Sequence, residues 1–110
     1  MYSKELLKGT LQTIILQLLN EHGQMYGYQI TQQVREQSDG KIILTEGGLY
    51  PTLHKMEAAG MLQTETVAVG NRTRKYYRLT PQGEQAAAER VSELTEFFRT
   101  MRLLLSLKSI

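Results

Sequence analysis

The chain has no cysteine and no tryptophan, only two histidines and two prolines, and no apolar run of membrane-spanning length. Without cysteine there can be no disulfide framework, thiolate zinc site or cysteine nucleophile. His22 and His54 stand alone, with no carboxylates spaced to complete a metal site around either. The most apolar stretch, Leu11 to Leu19, is interrupted by Gln12 and Gln17, and no small-residue cleavage site follows it. It falls well short of the roughly 20 residues a membrane helix needs. These absences predict a cytoplasmic protein that makes no membrane contact. Acidic residues are scattered, and neither a Ser/His/Asp set nor a glycine-rich phosphate loop is visible, so no enzyme activity and no cofactor is expected.

What is present is the make-up of one globular domain: 110 residues, 41% hydrophobic and 22% charged. The net charge of +2 is too small to name a nucleic-acid partner, so the placement of charge along the chain has to decide.

Hydrophobic periodicity predicts a first helix from Ser3 to His22, with Leu7, Leu11, Ile14, Ile15, Leu18 and Leu19 on one face. Gly9 weakens it by roughly 1 kcal/mol against alanine, and Gly23 stops it. A second helix is expected over Tyr26–Gln37 and a small strand over Lys41–Leu44. Thr45 then caps a third helix that buries Leu49, Leu53 and Met56, carries Pro51 in its second turn and ends at Gly60. Beyond Met61 the period changes to two. Leu62–Val69 and Arg74–Leu79 read as the strands of a β-hairpin turning at Gly70-Asn71. Thr80-Pro81 opens a last helix that reaches towards Leu107 and spans roughly 40 Å. Its residues Val91, Leu94, Phe98, Met101 and Leu105 recur at spacings of three and four.

The fold class that follows is mainly α with a small β-hairpin. Three helices and a hairpin are the order of a winged helix-turn-helix, which sets its third helix in the DNA major groove. Opposite the core-facing residues of that helix lie Gly47, Pro51, His54 and Ala58, flanked by Tyr50 and Lys55. Gly47 and Gly48 permit close approach of backbone to phosphate, and Tyr50, His54 and Lys55 can reach phosphates or base edges. An equally open reading makes the glycines a plain loop and Tyr50 a packing residue. In the hairpin, Arg72, Arg74, Lys75 and Arg78 crowd one stretch, with no acid between Thr66 and Gly83. Alternation puts Arg74, Tyr76 and Arg78 on one face and Lys75, Tyr77 and Leu79 on the core side. Such a cationic wing suits phosphate contact, although charge on a hairpin also serves to block edge aggregation. The last helix carries more apolar surface than three helices can cover, including Phe97, Phe98, Leu103, Leu104 and Leu107. A symmetric homodimer is the simplest cover; a helix folded back on the first one is the alternative.

Several blocks in order resemble the short form of the PadR-like family of bacterial transcription regulators. They are Leu6-Leu7-Lys8-Gly9-Thr10-Leu11, Met25-Tyr26-Gly27-Tyr28-Gln29-Ile30, and Glu46-Gly47-Gly48-Leu49-Tyr50-Pro51-Thr52-Leu53 with Met56-Glu57 and Gly60. Lys75-Tyr76-Tyr77-Arg78-Leu79-Thr80 and Gly83 complete the set. The resemblance implies a winged helix-turn-helix over residues 1–80 and a long dimerisation helix over 81–110, together one compact unit. It implies a regulator, usually a repressor, that meets double-stranded DNA through Tyr50 and the start of its helix with the wing residues Arg72 to Lys75 alongside; joined to the outward helix face, the expected DNA-binding set is Gly47, Gly48, Tyr50, Pro51, His54, Lys55, Asn71, Arg72, Thr73, Arg74 and Lys75. It also implies a homodimer joined through the first and last helices, which assigns Leu7 and Leu11 with Val91, Leu94, Phe98, Met101 and Leu105 to the interface. Some relatives release DNA on binding a small hydrophobic or aromatic effector. The family usually has Thr or Ser where this chain has Gly48, and there is no tryptophan to stack on such an effector. Two other functions fit the same elements: a winged helix that binds protein, or a small-molecule-sensing dimer with weak DNA affinity.

Overall fold

A computed structural model describes residues 2–106. Its elements are α1 (Lys4–Leu7), α2 (Leu11–His22), β1 (Gln24–Tyr26), α3 (Gly27–Gln37), α4 (Glu46–Ala58), β2 (Leu62–Val69), β3 (Arg72–Leu79) and α5 (Pro81–Leu104). The core gathers Ile15, Leu16 and Leu19 of α2, Ile30 of α3, Leu49, Leu53 and Met56 of α4, Tyr77 of β3 and Ala87 of α5. Each comes from the periodic positions of its own element, so one apolar stripe per helix meets the inner face of the sheet.

The expected first helix is in fact two. Gly9 takes φ +89°, a left-handed value that ends α1 instead of merely weakening a continuous helix. The hydroxyl of Thr10 donates to the Leu7 carbonyl at 2.7 Å, and α2 starts afresh. The Leu7–Leu11 spacing therefore bridges a break, with both residues half-buried on either side of it.

Lys41–Leu44 is not a strand. The segment is a loop tied to Ser38, whose hydroxyl accepts from Ile42 N at 3.0 Å. Its alternation comes from burial: Ile42 and Leu44 pack against the core while Lys41 and Ile43 stay exposed. The third strand is instead β1, which pairs antiparallel with β3 in the register Gln24↔Arg78, Met25↔Tyr77, Tyr26↔Tyr76. The sheet order is β1-β3-β2, so the returning strand of the hairpin is central.

Thr45 caps α4 by accepting from Gly48 N at 3.2 Å. Pro51 lies inside this helix with its ring on the exposed side. It cannot donate to the carbonyl of Gly47, but Gly47 is exposed and water can take that place. The hairpin turns at Gly70-Asn71, and β3 begins at Arg72, two residues before the expected start.

Thr80 joins the hairpin to α5. Its hydroxyl accepts from Gly83 N at 3.0 Å and donates to the Gly60 carbonyl at 2.6 Å. The first turns of α5 are built into the core through buried Gly83 and Ala87, with the Met61 backbone pressed against Gly83. Further along, Arg90 donates to Gln12 Oε1 of α2 at 2.6 Å. The helix ends at Leu104; Leu107, to which it was expected to reach, lies outside the described residues. Among the described residues no helix is long and apolar enough to cross a membrane.

Candidate nucleic-acid interface

With Leu49, Leu53 and Met56 fixed in the core, the other sides of α4 are assigned by helical geometry. Gly47, Pro51, His54 and Ala58 face outward and are exposed. Gly48, Thr52 and Lys55 form one flank. They look onto a groove of about 850 Å³ that also takes in Leu7, Leu11 and Ile14. Tyr50 and Glu57 form the other flank, which meets the sheet.

Tyr50 is half-buried. Its hydroxyl lies against the backbone of Gly27 at the start of α3, in the space a Cβ there would fill. The ring packs on the core, so the phenol is a wedge between α4 and α3 whose outer edge alone remains at the surface. Neither Gly47 nor Gly48 has a positive φ. A Cβ at Gly47 would meet nothing, and one at Gly48 would touch only the Thr45 hydroxyl at 3.5 Å. These glycines are therefore not demanded by the fold and leave the start of the helix bare.

Glu57 ties α4 to the hairpin. It accepts from the Thr64 hydroxyl at 3.2 Å, and its other oxygen lies 3.7 Å from Lys75 Nζ. Lys75 also stands 5.6 Å from the ring centre of buried Tyr77. Burial pushes the Tyr77 phenol up from its ordinary value, and the nearby Glu57 carboxylate and Tyr50 add to the effect.

Asn71, Arg72, Thr73, Arg74 and Lys75 are all exposed, with Tyr77 and Leu79 turned inward as the alternation predicted. Among the described residues, Lys75 is the one wing cation in a salt bridge. Arg74 instead rests on the ring of Tyr26, 4.4 Å from its centre, and that ring meets Tyr76 edge-on at 5.4 Å. Tyr26 and Glu57 carried no signal of an interface role in the sequence, because both contacts join segments far apart in the chain.

The second exposed surface is apolar. Phe97, Phe98, Leu103 and Leu104 of α5 and Leu105 just past its end are each more than half exposed, as is Leu6 of α1. Val91, Leu94 and Met101 of the same stripe are half-buried.

A sequence profile of the family described as "Transcriptional regulator PadR-like family" matches residues 15–89. A transcriptional regulator of Mycobacterium tuberculosis is 45% identical over 56 residues, covering 51% of this chain and 52% of that protein; the match thus spans about half the length of this curated relative. The crystal structure of a PadR family transcriptional regulator from Eggerthella lenta is similar with a TM-score of 0.79 and 30% identity, over 94% of this chain and 88% of that one. A transcriptional regulator from Clostridium thermocellum superposes with a TM-score of 0.79 at 27% identity, over 96% of this chain and all of that one, 100%.

Proposed function

The chain belongs to the PadR-like family of DNA-binding transcription regulators, which are not enzymes, and on that footing we propose that it is a homodimeric repressor reading double-stranded DNA with α4 and its wing. The observation that carries this reading is the Glu57 bridge. It ties the last turn of α4 to the hairpin, so that the outward face of the helix and the cationic wing lie side by side, the arrangement of a groove-filling helix flanked by a phosphate-binding wing.

The DNA-facing set is Gly47, Gly48, Tyr50, Pro51, His54 and Lys55 with Asn71, Arg72, Thr73, Arg74 and Lys75. Tyr50 is half-buried, with its hydroxyl packed against Gly27, and offers the exposed part of its ring. Arg72 at the tip has no acid within salt-bridge distance among the described residues and is the freest phosphate ligand. We assign DNA binding to residues 1–80 and dimerisation to the segment 81–110, in which α5 carries the partner-facing residues Val91, Leu94, Phe98 and Met101, with Leu105 just past its end and Leu7 and Leu11 alongside. A dimer sets two such helices about one DNA turn apart. The groove beside Lys55 is large enough for a small hydrophobic or aromatic effector.

The test is a binding titration with labelled DNA from upstream of the protein's own gene against a scrambled duplex, at two salt concentrations. Tight, salt-dependent binding to the native fragment, abolished by charge reversal at Arg72 and Arg74, supports the reading. No binding even at low salt overturns it in favour of a protein-binding winged helix.

A further inference from the structure

The contacts around Tyr26 form a path from the recognition helix to the wing. Tyr50 of α4 is wedged against the backbone of Gly27. The adjacent Tyr26 is held in place three ways: by its ladder position opposite Tyr76, by the Gln29 side chain, which accepts from Tyr26 N at 3.1 Å, and by the edge-on packing of its ring on Tyr76. Arg74 lies two residues along β3 on the same outer face, with its guanidinium over the Tyr26 ring at 4.4 Å. We propose that Tyr26 is a positioning residue for DNA binding, its ring fixing the Arg74 guanidinium at a set distance from the start of α4.

The chemistry favours this arrangement over an ion pair. A carboxylate partner would neutralise the charge that a phosphate must meet. An aromatic face restrains the guanidinium through its ring quadrupole and leaves the charge intact. The in-plane N–H donors of an arginine resting on a ring stay available for phosphate oxygens, which a lysine could not match. Ordering the side chain before DNA arrives also removes part of the entropy cost of binding. Arg72, at the hairpin tip, has no such support, and Lys75 has its charge shared with Glu57.

This inference rests on the reading of the wing as a phosphate contact, and the experiment separates the two. Binding of a random-sequence duplex at two low salt concentrations is measured for Tyr26→Leu, Tyr26→Phe, Arg74→Ala and the Tyr26→Leu/Arg74→Ala double variant. Tyr26→Leu is expected to weaken binding about two- to fivefold, and Tyr26→Phe, which keeps the ring, to recover it. Arg74→Ala is expected to lower the salt slope by about one. The loss on Tyr26→Leu should vanish in the Arg74→Ala background. An equal loss in both backgrounds, or no loss in either, overturns the positioning role while the wing reading stands. No change on Arg74→Ala overturns the wing reading and the proposal with it. Should Tyr26→Leu fail to fold, the Arg74 side-chain protons of the unaltered protein are compared with those of random-coil arginine by NMR. An upfield ring-current displacement supports the contact, and its absence refutes it.

Discussion

The hydroxyl of Tyr50 occupies the space that a Cβ on Gly27 would need, so α4 and the helix before it meet through a phenol set on bare backbone. Gly27→Ala is expected to destabilise the fold by about 1–3 kcal/mol through overpacking and to weaken DNA binding by pushing α4 outward. Tyr50→Phe should restore only part of the stability, because the ring carbon Cζ would still stand 2.8 Å from the new methyl. Thermal melts of the two single variants and the double variant check this.

Gly48 is open to substitution. Its φ is not positive, and a Cβ there makes an ordinary contact with Thr45. Gly48→Ser is expected to raise the melting temperature slightly, since serine forms helix more readily than glycine, and to increase DNA affinity through an added hydroxyl donor. Unchanged affinity in a titration would show that this turn of α4 does not touch DNA.

Removing the charge of Glu57 should separate stability from binding. Its salt bridge with Lys75 is partly exposed, so Glu57→Gln is expected to cost no more than about 1 kcal/mol. Releasing Lys75 and deleting a nearby negative charge should strengthen binding to a random duplex and steepen its salt dependence. Weaker binding would mean that the bridge matters chiefly by aligning α4 with the wing.

Alkaline pH should reveal Tyr77. Its folded pKa is raised above the ordinary 10.0 by burial first, then by Glu57 and Tyr50. Below pH 10.0 both folded and unfolded forms hold the proton and the contribution of Tyr77 to stability is complete. Above that the unfolded chain ionises first, so stability falls as pH rises through the higher folded value. Urea midpoints followed across this range should decline, and Tyr77→Phe should flatten the decline.

The apolar stripe of α5 gives the test of self-association. Phe98 is 55% exposed, so Phe98→Glu should leave the protomer fold intact while splitting the dimer and lowering DNA affinity. Sedimentation equilibrium checks it; a Phe98→Glu protein that stays dimeric would move the interface elsewhere.

The helices and hairpin were legible in the sequence because each writes its own period. Leu49, Leu53 and Met56 mark α4, and Tyr77 and Leu79 mark the buried side of β3. The misreadings fall where the period is shared by different structures. Leu7 and Leu11 keep helical spacing across the Gly9 break, and Ile42 and Leu44 alternate like a strand although they only dip into the core. β1 was invisible because Gln24–Tyr26 is too short to show alternation, and its partner lies at Tyr76–Arg78. The same distance hid Tyr26 and Glu57. The exposed residues of α4 and the wing could be named from the chain; which of them are already engaged by neighbours could not.

β1 pairs with only Tyr76, Tyr77 and Arg78, while β2 follows β3 all the way to Arg72. In dynamic terms, the hairpin is therefore two materials in one. Its root is bonded on both edges and must move with the helices, whereas the ribbon beyond Lys75 is bonded on one edge only. Amide protons at Tyr77 should exchange as slowly as the core permits, and those near Gly70 orders of magnitude faster. Such a gradient sets a pivot beside Arg74. The tip can then follow the curvature of a duplex on a fast timescale, while any signal that dislodges the root has to move the whole domain.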